Sequence, residues 1–339
     1  MSIPSTYKAW QVETAGEPLV LKDLALKRPG PGQILVKVLA CGVCHSDAGM
    51  ANGEYGPVRG RIPGHETVGD VVAVGEGVTR YRGGERVGGP WHGGHDGTCR
   101  PCQRGQFQYC ENETINGLSQ DGGYAQYALL RAEAAVRVPS DLDPAEVAPL
   151  LCAGVTVFNG IRQMRIEQGS VVAVQGVGGL GHLAIQYANK MGYKTVALSS
   201  GASKRAFACE LGAHDFIDVA VEDPVDKLKA MGGAGLVVAT APNPKAIGPL
   251  TAALQPGGKL LVLAAVGNVE INTIDLIMAG ASVHGWASGH ALDSEEAIQF
   301  ARDHGIRAMI EKFPMLDAPK ALEHMLSGKV RFRGVLTME

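Results

Sequence analysis

No strong charge of either sign marks this 339-residue chain: 31 Lys and Arg stand against 34 Asp and Glu, a net charge of −3. A balance so near neutral supplies no electrostatic reason to expect nucleic acid or an anionic membrane as partner. No apolar run nears the ~20 residues needed to span a bilayer. The longest, such as Leu260–Val266, suit a buried strand. The opening MSIPSTYKAWQVETAG has neither an apolar core nor a basic amphipathic stripe, so no signal or transit peptide is expected and the cytoplasm is the expected location. There is no internal repeat, low-complexity tract or coiled-coil heptad. The seven cysteines are an odd number, which makes a disulfide framework a poor expectation and metal ligation or catalysis a better one.

What is present is an ordinary globular profile, 45% hydrophobic and 19% charged, in a length that suggests two domains. Glycine is the outlier, with 46 residues against the roughly 7% of an average chain. The first 150 residues carry short β segments broken by Gly and Pro, such as Ile34–Ala40, Val68–Val74 and Tyr124–Leu130. The middle alternates: strand Val171–Gln175, helix Leu180–Met191, strand Thr195–Leu198, helix Lys204–Leu211, then strands Phe216–Val219, Leu236–Thr240 and Lys259–Ala265. Such alternation predicts an α/β architecture with a doubly wound parallel sheet. The tail returns to helices at Ser294–Asp303 and Ala318–Ser327 and a last strand at Arg333–Thr337.

Between the first two strands of the alternating region lies Gly176-Val177-Gly178-Gly179-Leu180-Gly181, a G-x-G-x-x-G after a strand and opening a helix. Gly176 permits the tight turn, Gly178 lets the backbone approach a pyrophosphate, and Gly181 lets the helix pack on the strand. In that context the motif predicts a dinucleotide site, with Thr240 and Val266 at the ends of later strands as further contacts. A site for NAD usually carries an acid at the end of the second strand, to hold the ribose 2′-hydroxyl. Here the strand runs out in Ser199-Ser200-Gly201-Ala202-Ser203-Lys204-Arg205, without a carboxylate. Hydroxyls and cations suit a 2′-phosphate, so NADP(H) is expected over NAD(H), although Lys204 and Arg205 also suit a solvated helix start.

Two groups of metal-binding residue types stand out. Cys44, His65 and Cys152 together offer two thiolates and one imidazole, a known donor set for catalytic zinc with its fourth position open to water or substrate. Asp47 and Glu66 lie beside them, as carboxylates that orient an imidazole do. Taken singly, Cys152 better suits a small core position and His65 a turn. The second group is Asp96, Cys99, Cys102 and Cys110 in a glycine-rich hydrophilic loop, which reads as a structural zinc site before it reads as a redox pair.

With CGVCHSD at 41–47, PGHE at 63–66, the cysteine loop at 99–110, PLLCAGVTVF at 149–158 and QGVGGLGHLAIQYA at 175–188, the chain resembles, over essentially its whole length, the zinc-containing alcohol dehydrogenases of the medium-chain dehydrogenase/reductase superfamily. The resemblance implies a GroES-like β-rich catalytic domain from residues 1–153 and 289–339, and a Rossmann cofactor domain from residues 154–288. It implies Cys44, His65 and Cys152 as catalytic zinc ligands, Glu66 as a carboxylate able to approach the metal, and Ser46 as the hydroxyl that binds the substrate oxygen and passes its proton on. It implies His45 and Arg333 near the cofactor phosphates. It also implies a small alcohol or aldehyde substrate and a homotetramer or homodimer.

Two departures from the family pattern bear on chemistry. The first of the four structural-zinc cysteines falls on Asp96, with His92 and His95 close enough in sequence to leave the fourth ligand open. A relay histidine common in relatives falls on Gly49, which cannot accept a proton. Tyr55, Trp91, Leu118 and Trp286 are candidate pocket residues, each equally suited to ordinary packing. The expected activity is hydride transfer between a primary or small secondary alcohol and NAD(P). Its rivals are a zinc-free enone or quinone reductase and a non-catalytic dinucleotide-binding protein.

Overall fold

The computed structural model describes residues 3–338. Its chain divides into two compact units. One takes the chain up to Val155, then Ser288–Gln299 and the segment from Arg307 onward; the other takes Thr156–Ala287 and Phe300–Ile306.

The second unit holds the expected parallel sheet. Its six strands run in the order Asp215–Asp218, Lys194–Ser199, Val171–Gln175, Ala234–Ala239, Leu254–Val262 and Ser282–Gly285, every pairing parallel. Counted along the chain this is 3-2-1-4-5-6, the order whose reversal beside the first strand opens a crevice for a dinucleotide. Every residue of Val171–Gln175 and Ala234–Ala239 is buried, as parallel strands covered on both faces must be. Their Val, Ala and Leu side chains form this unit's core with Ile217, Leu228, Ile247 and Leu260. The sixth strand and the helix before it, Thr273–Ala279, were not expected from the sequence pattern; that helix buries none of its residues.

The first unit is built around the eleven-residue strand Gln33–Val43. It pairs antiparallel with Thr67–Val74, with Tyr127–Arg131 along its first half, and with Arg333–Thr337 along its last. The expected strand Ile34–Ala40 thus extends three residues further, to the threshold of Cys44. One core of this unit gathers Ala9, Cys41, Met50, Ile62, Tyr124 and Leu336; another gathers Ile34, Val36, Val71, Tyr81 and Leu130. Among the described residues no single helix is long and apolar enough to cross a membrane.

Candidate active site

Strand register assembles the first group of metal-binding side chains. Strand Gln33–Val43 ends with Cys41 opposite Thr67 on one side and Gly334 opposite Val43 on the other. Glu66 and His65 lie just before Thr67, and Arg333 just before Gly334. All three therefore converge on Cys44, which caps the short helix His45–Ala51. Cys152 arrives from the 3-10 turn Ala148–Leu151. That turn is seated by Leu151, which fills the space above Gly88, where a Cβ would come within 2.8 Å of its methyls.

Ligand atoms of Cys44, His65, Glu66 and Cys152 all lie within 4.8 Å of one another. The imidazole of His65 is 2% exposed, and its Nδ1 sits 3.0 Å from Asp47 Oδ1. Donation from Nδ1 leaves a lone pair on Nε2, and that buried atom has no hydrogen-bond partner. Glu66 Oε2 is likewise buried and unpartnered. Orphaned buried acceptors among thiols are costly unless a cation completes them. The donor set fits zinc.

The electrostatics are those of a tightly coupled group. A hydrogen bond from Cys152, with the charges of His65 and Arg333, holds the Cys44 thiol well below its ordinary range despite burial. Cys152, on the giving side of that bond and buried, is held well above. Burial opposes a charge on His65, but Asp47 and Cys44 outweigh it and raise the imidazole well above its usual value. Burial lifts Glu66 to about 7 against the pull of Arg333. Arg333 itself donates to Glu66, its side chain 4% exposed. The structure thus sets Arg333 against the metal-binding group.

Asp47, expected from the sequence to orient the imidazole, does so with supports that carried no signal there, the Tyr124 hydroxyl and the glycines around it. Asp47 accepts four hydrogen bonds: from Cys44 N at 2.9 Å and the Tyr124 hydroxyl at 3.0 Å on Oδ2, and from Gly64 N at 3.2 Å and His65 Nδ1 on Oδ1. Residues 122–124 run flush against the Pro63-Gly64-His65 turn, Gly123 N donating to Gly64 O and Tyr124 N to Pro63 O. A Cβ on Gly122 would fall 2.1 Å from Gly64 O. Gly42 is equally constrained, since its Cβ would lie 1.8 Å from Glu66 Oε2. In sequence the pair Gly122-Gly123 and the single Gly42 show nothing beyond a turn or a strand glycine; only the contacts reveal them as clearances. Cys41, by contrast, is a core thiol outside the group, within 3.7 Å of Thr67 Oγ1.

Of the remaining expected residues in this unit, Ser46 Oγ lies 3.9 Å from Cys44 Sγ and His45 is exposed at the helix start. Trp91 stands edge-on to His65, ring centroids 4.9 Å apart. Tyr55 and Glu54 occupy the space beside Gly49, where a Cβ would lie 3.0 Å from the ring of the first and 2.9 Å from the carboxylate of the second. Leu118 packs on the core around Tyr124. Trp286 lies in the other unit.

The second group also closes. Ligand atoms of Asp96, Cys99, Cys102 and Cys110 lie within 4.8 Å of one another. His92 and His95 are engaged elsewhere: His92 Nδ1 is 2.7 Å from Glu113 and its Nε2 is 3.0 Å from His95 Nδ1. Asp96 Oδ1 accepts the N–H groups of Thr98 and Cys99, and Oδ2 accepts from Asn112 at 2.6 Å. Asn112 and those two amides hold the carboxylate well below its usual range. One lone pair of Oδ2 remains for a metal.

The glycine loop of the other unit has the geometry its motif requires. Gly176 turns at φ +97°, and a Cβ on Gly181 would sit 1.9 Å from Gly176 O. Gly178 faces open space, and Gly179 and Leu180 beside it are half-exposed. Thr240 Oγ1 braces the loop by donating to Gln175 O at 2.8 Å, while Val266 packs at the edge of the core. Beyond the second strand Lys204 Nζ donates to Ser199 Oγ at 3.3 Å, next to the exposed Ser200. Arg205 turns away, its guanidinium over Phe216 at 5.2 Å and near Asp215 and Glu222.

Comparison with known proteins agrees with both halves. Residues 30–140 match the alcohol dehydrogenase GroES-like domain and residues 179–303 the zinc-binding dehydrogenase family. The chain is 53% identical to alcohol dehydrogenase patD of Penicillium expansum, over 99% of this chain and 98% of that one. Among solved structures, a cinnamyl alcohol dehydrogenase of Sorghum bicolor superposes with TM-score 0.88 at 32% identity, covering 98% of this chain and 97% of that one. Acetophenone reductase of Geotrichum candidum, solved with NAD, gives TM-score 0.88 at 28% identity over 100% and 99%. The chain joins a GroES-like domain to a Rossmann sheet, belongs to the zinc-type alcohol dehydrogenases of the medium-chain dehydrogenase/reductase superfamily, and is an alcohol dehydrogenase acting on small alcohols or aldehydes.

Proposed function

We propose that the chain is a zinc-dependent alcohol dehydrogenase and aldehyde reductase that exchanges a hydride between a primary or small secondary alcohol and NADP(H). The observation that carries this reading is the unpartnered buried pair His65 Nε2 and Glu66 Oε2 beside the thiols of Cys44 and Cys152. Cys44, His65 and Cys152 would hold the catalytic zinc, with Glu66 within reach. When bound, zinc supplies Lewis acidity toward the substrate oxygen, and nicotinamide accepts or returns the hydride.

The chain's own residues do the rest. Ser46 accepts the proton of the substrate hydroxyl while giving up its own, so no charge builds on it. With no side chain at residue 49, that proton leaves to the cofactor's hydroxyls or water. Trp91 limits the space beside His65. The Gly176–Gly181 turn and the helix after it take the pyrophosphate, with His45 and Arg333 as further candidates for its charge.

The Ser199–Lys204 pair, with no acid beside it at the end of the second strand, supports NADP(H) over NAD(H). Asp96, Cys99, Cys102 and Cys110 support a second, structural zinc. The catalytic domain is assigned to residues 1–153 and 289–339 and the cofactor domain to 154–288. Free thiols throughout support a reducing cytoplasmic setting. A homotetramer or homodimer is supported by Ile274, Ile277 and Met278, exposed by 64%, 75% and 81% beside the edge strand Ser282–Gly285.

The test is a Cys44→Ser protein, shown to be folded by circular dichroism and assayed for bound zinc and for turnover with NADPH and NADH. Loss of one zinc together with turnover supports the reading. Full turnover in that protein would sink it.

A further inference from the structure

We propose that the hydroxyl of Tyr124 is a positioning group that sets how firmly His65 is presented to the metal. The inference rests on the zinc reading of Cys44, His65 and Cys152 above. A carboxylate has about four lone-pair sites, and Asp47 fills them with four donors, two on each oxygen. Three of these come from the turn and helix that carry the metal-binding residues themselves. The fourth, from Tyr124, is the only one supplied from outside, 77 positions along the chain.

That difference gives Tyr124 its role. The donors at Cys44, Gly64 and His65 would travel with the group if it shifted, so they cannot fix its place. Tyr124 can, because its ring is fully buried in the core with Cys41, Met50 and Ile62. Its backbone is tied at both ends, N–H to Pro63 O and C=O to Trp10 N–H, each at 2.9 Å. The hydroxyl thus anchors Asp47 Oδ2, and Asp47 Oδ1 in turn holds Nδ1 of His65. With Nδ1 the donor, the lone pair stays on Nε2. Without the Tyr124 hydroxyl, Asp47 Oδ2 retains only the Cys44 amide, and the carboxylate can rotate away from the imidazole.

The test uses Tyr124→Phe in the full-length protein, which keeps the ring and deletes one oxygen. The control is Tyr81→Phe, since Tyr81 is another buried tyrosine of the same unit whose hydroxyl donates one hydrogen bond, to Ala135 O at 2.5 Å. Zinc release to a metallochromic chelator is followed alongside the visible spectrum of the cobalt-substituted protein. Tyr124→Phe is expected to release the catalytic zinc about tenfold faster and to shift the cobalt bands, in line with the usual cost of losing such a support. Tyr81→Phe is expected to do neither.

Asp47→Asn supplies a second route. It should also speed release, and adding Tyr124→Phe to it should bring little more, because the tyrosine acts through the carboxylate. Wild-type release and spectrum in Tyr124→Phe would overturn the proposal, as would an equal effect from Tyr81→Phe or independent, multiplying effects in the double variant. A cobalt form whose thiolate charge-transfer bands were the same in the parent and in Cys44→Ser, leaving only the bands of the Cys99, Cys102 and Cys110 group, would overturn both this proposal and the zinc reading beneath it.

Discussion

Arg333 and Glu66 form an ion pair with side chains 4% and 0% exposed, brought together from two strands that flank the same end of Gln33–Val43. Breaking a buried pair on one side leaves the other charge uncompensated, at about 3–5 kcal/mol. Arg333→Ala should therefore lower the free energy of unfolding by that amount and shift the denaturation midpoint down accordingly. Adding Glu66→Gln to it should restore most of the loss. Chemical denaturation of both variants decides the matter, and a single variant as stable as the parent would show that the pair carries no such energy.

Gly42 faces Glu66 with no room for a methyl group, the built Cβ falling 1.8 Å from Oε2 and 2.8 Å from Cδ. Gly42→Ala must push the carboxylate aside, at a cost of about 1–3 kcal/mol typical of overpacking. A lowered melting temperature and a lowered zinc content are expected together. A variant that melts and holds zinc as the parent does would mean the carboxylate moves freely.

Asp96 lies with its carboxylate among the three cysteines and accepts the Thr98 and Cys99 amides, so on the proposed structural-zinc reading it has two roles. Asp96→Ala removes both roles and should drop the zinc content by one per chain. Asp96→Cys restores a ligand without the amide contacts and should keep the metal. Mass spectrometry under native conditions counts the ions. Equal zinc in the alanine variant and the parent would rule out a metal role for Asp96.

Lys204 is the cation that reaches Ser199, while Arg205 is drawn off toward Asp215 and Glu222. Lys204→Ala should raise KM for NADPH roughly tenfold, the order of one lost charged hydrogen bond, and leave KM for NADH near its starting value. A parallel change in both would remove the argument for 2′-phosphate recognition here.

Burial raises the Tyr81 hydroxyl from its ordinary 10.0 to about 12, and burial with the nearby Asp121 does the same for Tyr7. For such an acid the unfolded chain gives up its proton near pH 10 while the folded chain keeps it. Stability is therefore full below pH 10 and falls as pH rises toward 12. Thermal melts across that range, with tyrosinate absorbance at 295 nm, should show unfolding that coincides with ionisation, and Tyr81→Phe should make the fall shallower. Tyrosines that ionised near pH 10 in the folded protein would contradict it.

Much of this site was legible before any coordinates. The parallel sheet followed from strands such as Val171–Gln175, found over the very residues expected, because apolar runs and glycine turns are local signals. The helix Thr273–Ala279 and the strand Ser282–Gly285 escaped, since an exposed apolar helix and a half-polar edge strand lack the periodicity that marks a buried element. The roles of Gly42, Gly88 and Gly122 escaped for another reason. Each is a clearance for a side chain or backbone distant in sequence, and a clearance leaves no pattern in its own neighbourhood.

By itself the sequence determined which chemistry was on offer: Cys44, His65 and Cys152 as donors, Gly176–Gly181 as the dinucleotide turn, and a second strand ending without an acid. The glycine turn and the acid-free strand end follow from residue type at fixed offsets that neighbouring backbone geometry enforces; the donors, distant from one another in the chain, follow from residue type together with the family resemblance. Only the tertiary structure set Asp96 within 4.8 Å of the three cysteine sulfurs while His92 and His95 pair with each other and Glu113. It alone turned Arg333 onto Glu66 and brought the Tyr124 hydroxyl to Asp47. Each of these depends on strand register and on packing between distant segments, where one side chain's partner is chosen by the shape of the space it is folded into.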